Sequence, residues 1–273
     1  MNSFLSFFEE MPLWMRLLWV VGVLAVFWIL EGNYTLVQLH YKKWRHAGVN
    51  FMFLLFTMAI NVGFGVLTLG VFYWVETSPF GLLHLVDLPI WLELILALLA
   101  LDFIAQYGVH YLLHKVQWLW RLHLIHHSDT KVDVTTGTRH HPFDFILRET
   151  FALFVILLMG MPIAFYLLYR ILSVFFTYFT HANIQLGKID KYISYVFVSP
   201  NMHKFHHHRQ MPWTDTNYGN MFSFWDRIFG TFLYEDTSKI RYGLDILDDS
   251  TDENLLYQLK IPFDKAVKTI GRD

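Results

Sequence analysis

His110-Tyr-Leu-Leu-His114, then His123-Leu-Ile-His126-His127, and later the echo His203-Lys-Phe-His206-His207, is the part of the sequence on which the fold turns. On a helix, residues three and four apart stand on one face, so each run points its imidazoles the same way and can chelate. Neutral imidazole is a common ligand for Zn, Fe, Cu and Ni, and eight rings from three helical segments exceed what one tetrahedral ion uses. Two metal ions are the economical reading. A lone histidine is usually an ordinary core or surface residue, but 12 of the 15 histidines fall between His110 and His208, with one helical spacing repeated. The runs are internal and interrupted by apolar residues, which excludes a purification tag.

Working outward, the 273 residues are 55% hydrophobic, 18% aromatic and only 16% charged, with a mean hydropathy of +0.35. Such a chain has too little polar surface for a soluble globule and reads as a membrane protein. A net charge of -2 without a basic block gives no sign of a nucleic-acid partner. The absence of cysteine excludes disulfides, cysteine zinc sites and iron–sulfur clusters, so any metal here is held by nitrogen and oxygen. The N-terminus lacks the basic region of a cleavable signal, so the first apolar run is expected to be retained as a span.

Apolar runs at about 13–30, 49–75 and 90–107 are each long enough to cross about 30 Å of hydrocarbon. Lys42, Lys43 and Arg45 follow the first, whereas the loop 77–89 has no Lys or Arg. The positive-inside rule then places the N-terminus outside and delivers His110 to the cytoplasm. An acid within a span is costly and by default functional. Asp102 is therefore a candidate to receive the second ring N–H of a ligand histidine, or else bonds a neighbouring helix. Asp226, in Trp225-Asp-Arg-Ile-Phe-Gly-Thr231, is a second candidate for that role.

Pro142 holds His141 on extended backbone, so His141 is expected to approach the site from a loop, ahead of His140. The apolar run 146–178 is too long for one span and breaks near Gly160-Met-Pro162. Two short helices returning to the starting side satisfy the requirement that His127 and His203 share a face, and His181 at the hairpin's exit becomes a ninth ligand candidate. Residues 189–198 read as an interfacial segment. His208 falls off the face of its run and reads as a surface histidine.

The expected architecture is all-α: a polytopic membrane bundle with a cytoplasmic histidine-rich cap holding a dimetal site. Its regions are spans in 1–109, a catalytic region in 110–233 with a membrane hairpin at about 146–180, and a soluble tail in 234–273.

Taken together, His-x-x-x-His, Leu119-Trp-Arg-Leu-His-Leu-Ile-His-His-Ser-Asp129, Thr138-Arg-His-His-Pro142, His181-Ala-Asn183, Pro200-Asn-Met-His-Lys-Phe-His-His207, Asn217-Tyr-Gly219 and the Trp225–Thr231 turn resemble the membrane-bound fatty acid hydroxylase and sterol desaturase superfamily, particularly its bacterial members. The likeness covers about 102–231. It implies a non-haem di-iron centre at the cytoplasmic face, in the inner membrane for a bacterial chain, with O2 as oxidant and a lipid hydroxylated or desaturated. It also names His141 and His181 as completing the ligand set. One departure is Tyr111, where many relatives carry a basic residue.

The chemistry agrees with the resemblance. Zinc has no redox change, whereas iron can activate O2. Two Fe ions would oxidise an unactivated C–H bond of a fatty acyl chain, sterol or related lipid drawn from the bilayer. No haem, flavin or iron–sulfur motif is present, so electrons must come from a separate donor, a ferredoxin or a cytochrome with its reductase. A dizinc hydrolase activating water on a lipid is the alternative. It is weakened by the lack of His-Glu-x-x-His and of a glutamate inside the histidine runs. A metal transporter would place its ligands along the spans instead.

Overall fold

The computed structural model describes residues 1–78 and 80–267. Pro79 of the 77–89 loop and the last six residues of the expected tail, 268–273, lie outside the described residues. Among the described residues there is no β-strand, only two isolated bridges, Thr35 with Ile184 and Phe197 with Phe222.

The membrane portion comprises α1 (Asn2–Glu9), α2 (Leu13–Asn33), α3 (Lys43–Thr77), α4 (Ile90–Lys115), α6 (Pro142–Met159) and α7 (Ile163–His181). Among the described residues four helices, α2, α3, α4 and α7, are long and apolar enough to cross a membrane. Hydrocarbon offers no partner for a backbone N–H or C=O, so a spanning apolar segment satisfies its own groups by coiling into a helix. Apolar side chains such as Leu18, Val21, Val66 and Leu67 are left facing outward. The amphipathic α1, which the sequence reading left undescribed, lays Leu5 and Phe8 into the cluster built by Phe165, Tyr166 and Leu168 of α7.

The break in the hairpin falls where Gly160-Met-Pro162 predicts it. Gly160 adopts φ +64° and ends α6 with its N–H on Ile156 O (2.9 Å), while Pro162 precedes α7. A Cβ on Gly160 would come within 2.0 Å of Phe80 O, and one on Gly81 within 2.4 Å of Gly160 N. The 80–84 loop and the hairpin tip thus meet backbone to backbone. At about 1.5 Å per residue, helices of 18 and 19 residues are each about 27 to 28 Å long. Both ends of the hairpin return to the histidines.

Between Leu101 and Gly108, α4 is wound as a π-helix, with Val109 N–H reaching back to Ile104 O. Such wide turns are rare and concentrate at functional sites. This one lies immediately ahead of His110.

The cap contains α5 (Gln117–His127), a 310 turn at Val134–Thr138, α8 (Lys188–Ile193), α9 (Pro200–His206), α10 (Phe224–Ile228) and α11 (Leu255–Lys260). The described residues after 233, expected as a soluble tail, pack on α5. Leu244, Ile261 and Val267 bury Trp120 and Leu124 of α5. Arg121 donates to Pro262 O (2.7 Å) and Val267 O (2.9 Å), and Ser128 Oγ donates to Gln258 Oε1 (2.7 Å). The reason is geometric: α5 turns its histidine side to the other histidine runs, and its opposite apolar side needs a cover. The expected division at 109/110 likewise falls inside the unbroken α4.

Fully buried polar residues lock the cap to the spans. His46 of α3 lies between Asp129 (2.8 Å) and Asp133 (3.3 Å). Arg139 donates to Ile125 O (2.9 Å), Asn50 Oδ1 (3.1 Å) and Asp252 O (2.5 Å), joining α5, α3 and the C-terminal segment. Burial alone would raise Asp129, but His46 and Arg139 beside it hold its carboxyl well below the usual carboxylate range.

Candidate metal centre

Nine histidines converge at one end of α4 and α7 in two adjoining groups. His110, His114, His123, His127 and His206 form one, and His126, His181, His203 and His207 the other; within each, the ligand atoms lie within 4.8 Å of one another. Both His-x-x-His-His runs divide by one rule. Their first and last members, one helical turn apart, enter one group, and the member between them enters the other. The groups meet where the His127 and His207 rings stand 4.8 Å apart.

Hydrogen bonds determine which nitrogen of each ring is bare. A carbonyl only accepts, so His110 Nδ1 carries the proton it donates to Tyr218 O (2.8 Å), as do His126 to Arg139 O (3.2 Å), His181 to Thr177 O (2.6 Å) and His206 to Thr216 O (2.7 Å). Carboxylates take the Nδ1 protons of His123 (Asp144, 2.7 Å) and His114 (Asp215, 3.2 Å). In the neutral rings Nε2 is then a lone pair. Yet His110 Nε2 lies 3.0 Å from His123 Nε2, and His126 Nε2 lies 3.0 Å from His181 Nε2. Two bare lone pairs repel at that distance unless a cation stands between them. It is also the spacing of nitrogens bound at about 2.1 Å to one ion at right angles.

Other nitrogens point to the same need. Both ring nitrogens of His127 and of His207, and Nδ1 of His203, are buried without a hydrogen-bond partner. Unsatisfied buried polar atoms cost about 1–3 kcal/mol each. Burial lowers His126, His127, His203 and His207 well below the ordinary imidazole value, and takes His123 down to about 4 against the opposing pull of Asp144. The rings are neutral at pH 7, as ligands must be. The donor set therefore fits metal ions.

Several expectations need correction. His141 lies outside both groups; its Nδ1 accepts the Phe143 N–H (3.2 Å) at the start of α6, because Pro142 turns the chain there into a helix that the ring caps. His140 faces the centre instead, stacked on His126 with ring centroids 4.5 Å apart and 3.4 Å from Asp144. Asp102 bonds no histidine. It accepts from Tyr169 Oη (3.0 Å), Trp225 Nε1 (3.0 Å) and the N–H groups of Met221 and Phe222 (3.2 Å each), clamping the loop after Tyr218. Asp226 acts one bond removed from a ligand: it accepts the Tyr218 N–H (2.7 Å) and Gly219 N–H (3.0 Å), fixing the peptide whose carbonyl holds His110. A Cβ on Gly219 would lie 2.9 Å from that carboxylate, which explains the glycine. His208 is buried rather than superficial, lying 3.2 Å from Lys239 O and packing on Trp213.

Asp144 and Asp215 were not foreseen. Asp144 has a retrospective signal, an acid four residues after a histidine at a helix start, whereas Asp215 lies 101 residues from His114 and has none.

A cavity of about 610 Å3 leads away from the centre. Its lining includes His110, His126 and His203 of the centre and Leu17, Val62 and Val174 of the spans.

A helical protein with membrane-spanning segments and a buried, all-histidine chelating centre at one end of them is thus defined by fold and site. A model of the fatty acid hydroxylase family matches residues 94–231, just over half of the chain. The chain belongs to that family, within the membrane-bound fatty acid hydroxylase and sterol desaturase superfamily. Among its relatives, the ornithine lipid hydroxylase OlsE of Rhizobium tropici is 30% identical over 53% of this chain and 43% of its own length. Human alkylglycerol monooxygenase is 29% identical over 54% of this chain and 32% of its own. The Caenorhabditis elegans alkylglycerol monooxygenase is 31% identical over 59% and 30%. The chain thus spans less than half the length of these relatives. No solved structure matches it.

Proposed function

We propose that the protein is a non-haem di-iron monooxygenase that hydroxylates a membrane lipid, with its centre at the cytoplasmic face. The observation that carries this is the pair of adjoining histidine groups at the mouth of an apolar cavity between spans. Relatives named as an ornithine lipid hydroxylase and as alkylglycerol monooxygenases favour oxygen insertion over desaturation.

The overall change is RH + O2 + 2 e⁻ + 2 H⁺ → ROH + H2O. When bound, iron supplies O2 activation and the route for electrons, which come from a separate ferredoxin or cytochrome. The nine histidines offer neutral nitrogen, and carbonyl and carboxylate partners keep six of the rings aimed without a change of geometry during reaction. Leu17, Val20, Val62 and Val174 hold the chain of the lipid out of water, so the reacting carbon is positioned rather than free. His140, against His126 and Asp144, holds a proton position at the cavity wall.

The test is purification in detergent, metal analysis, and turnover of an extract of host lipids under ¹⁸O2 with a reductant. Two irons per chain and a lipid product heavier by one ¹⁸O atom are expected. Zinc with hydrolysis that needs no O2 would overturn the proposal and restore the dizinc hydrolase.

A further inference from the structure

The cavity carries an ion pair that the metal centre does not use. Arg170 of α7 and Glu149 of α6 meet at 2.5 Å, Nη1 to Oε1, inside the hairpin. Ionisable groups at this depth are expensive and mark function by default. The pair stands in the wall of the 610 Å3 cavity and also lines a second cavity of about 410 Å3, bounded beyond it by Phe8, Trp19 and Leu167. Asn61 and Val174 line both as well, so the two spaces adjoin at one polar collar.

The two partners differ in access. The Glu149 side chain is 5% exposed and that of Arg170 is 32% exposed, and Arg170 lines both cavities. Nη1 is engaged by Glu149, while Nε and Nη2 bond no described residue. A ligand in the cavity would meet N–H donors whose charge is already balanced. That chemistry selects a neutral oxygen acceptor, a hydroxyl, ether, ester or amide, over an apolar chain or a phosphate. Arg170 precedes His181 by 11 residues on α7, about 16 Å along the axis at about 1.5 Å per residue.

Resting on the lipid-oxygenase reading, we infer that Arg170, held by Glu149, anchors an uncharged oxygen-bearing group of the lipid substrate at the cavity wall. Its distance from the histidines then selects the carbon presented to them. Arg170 is a specificity-determining residue, and Glu149 a positioning residue that keeps it neutralised and turned to the cavity.

The test is equilibrium binding of three radiolabelled amphiphiles to the detergent-solubilised, metal-loaded full chain: hexadecane, 1-O-hexadecylglycerol and hexadecyl phosphate. The wild type should bind the glycerol ether about tenfold more tightly than hexadecane, the value of one charge-assisted hydrogen bond. Arg170→Met should remove that preference and leave hexadecane binding unchanged. Glu149→Gln, which keeps the shape of the pair and uncovers the guanidinium charge, should reverse the order in favour of the phosphate. Equal binding of ether and alkane by the wild type, or equal loss of both in Arg170→Met, overturns the anchor and makes the pair a helix-to-helix tie. Unchanged phosphate binding in Glu149→Gln overturns it independently. Full ¹⁸O incorporation without a head-group preference sinks the anchor alone; a preference without ¹⁸O incorporation sinks the oxygenase reading and leaves the anchor standing.

Discussion

The histidine run on α5 and the run on α9 distribute their rings by one rule and are held by different means. On α5, His123 is aimed by Asp144 and His126 by the Arg139 carbonyl, both themselves braced, so two rings of three have their tautomer determined by the protein. On α9, only His206 has such a partner, the Thr216 carbonyl; His203 Nδ1 and both nitrogens of His207 are buried without one. The α5 side is preorganised by the fold, while on the proposed di-iron reading the α9 side would be completed by the metal. A centre built this way separates a rigid template from a half that closes on loading.

The largest effect should come from the ring that each run sends to the opposite group. His126→Ala leaves its group three ligands and His206→Ala leaves four. Both should lose more than about 100-fold in activity, beyond the range for orienting partners. His126→Ala should lose close to one iron per chain by elemental analysis while His206→Ala retains more; equal retention would erase the difference between the groups. Next in size, Asp144→Asn should lower metal affinity or turnover about 10- to 100-fold, measured by competition with a chelator. Tenfold or less for Asp144→Asn with a larger loss for Thr216→Pro, which perturbs the α9 side, would invert the comparison.

Chelation should act unevenly. Hydrogen exchange after iron removal is expected to rise several-fold at 200–207 and little at 117–127, and a uniform rise would show that both sides depend on metal alike. The smallest effect concerns acid. In the metal-free chain the buried His126, His127, His203 and His207 bind protons less readily than in the unfolded chain. Below about pH 6.5 the unfolded state gains protons first, so stability falls with pH, by up to about 1.4 kcal/mol per unit and group. Thermal unfolding at pH 7.5 and 5.5 checks the sign; a higher midpoint at pH 5.5 would mean that these rings are solvated.

The three runs were legible because helical spacing alone places their rings together, and the hairpin because 146–178 exceeds one span and carries its own break. His141 misled because Pro142 says only that the preceding residue is extended; the ring's commitment to the Phe143 N–H follows from where α6 begins. Asp102 was singled out by its cost, but its partners lie 67 to 123 residues away, beyond any local pattern. The packing of the C-terminal segment was not legible because its few apolar residues are scattered, and their convergence on Trp120 exists only in three dimensions.

The wide turn at Leu101–Gly108 has a consequence for inheritance. A π-helix holds one residue more than the α-helical path would need. Deleting a single residue there would take up that surplus and leave His110 and His114 close to their present phase, whereas a deletion in the ordinary helix before it would rotate everything downstream by about 100°, swinging both away from their companions while hydropathy stayed unchanged. Phase, not composition, is what this segment conserves for the chemistry below it.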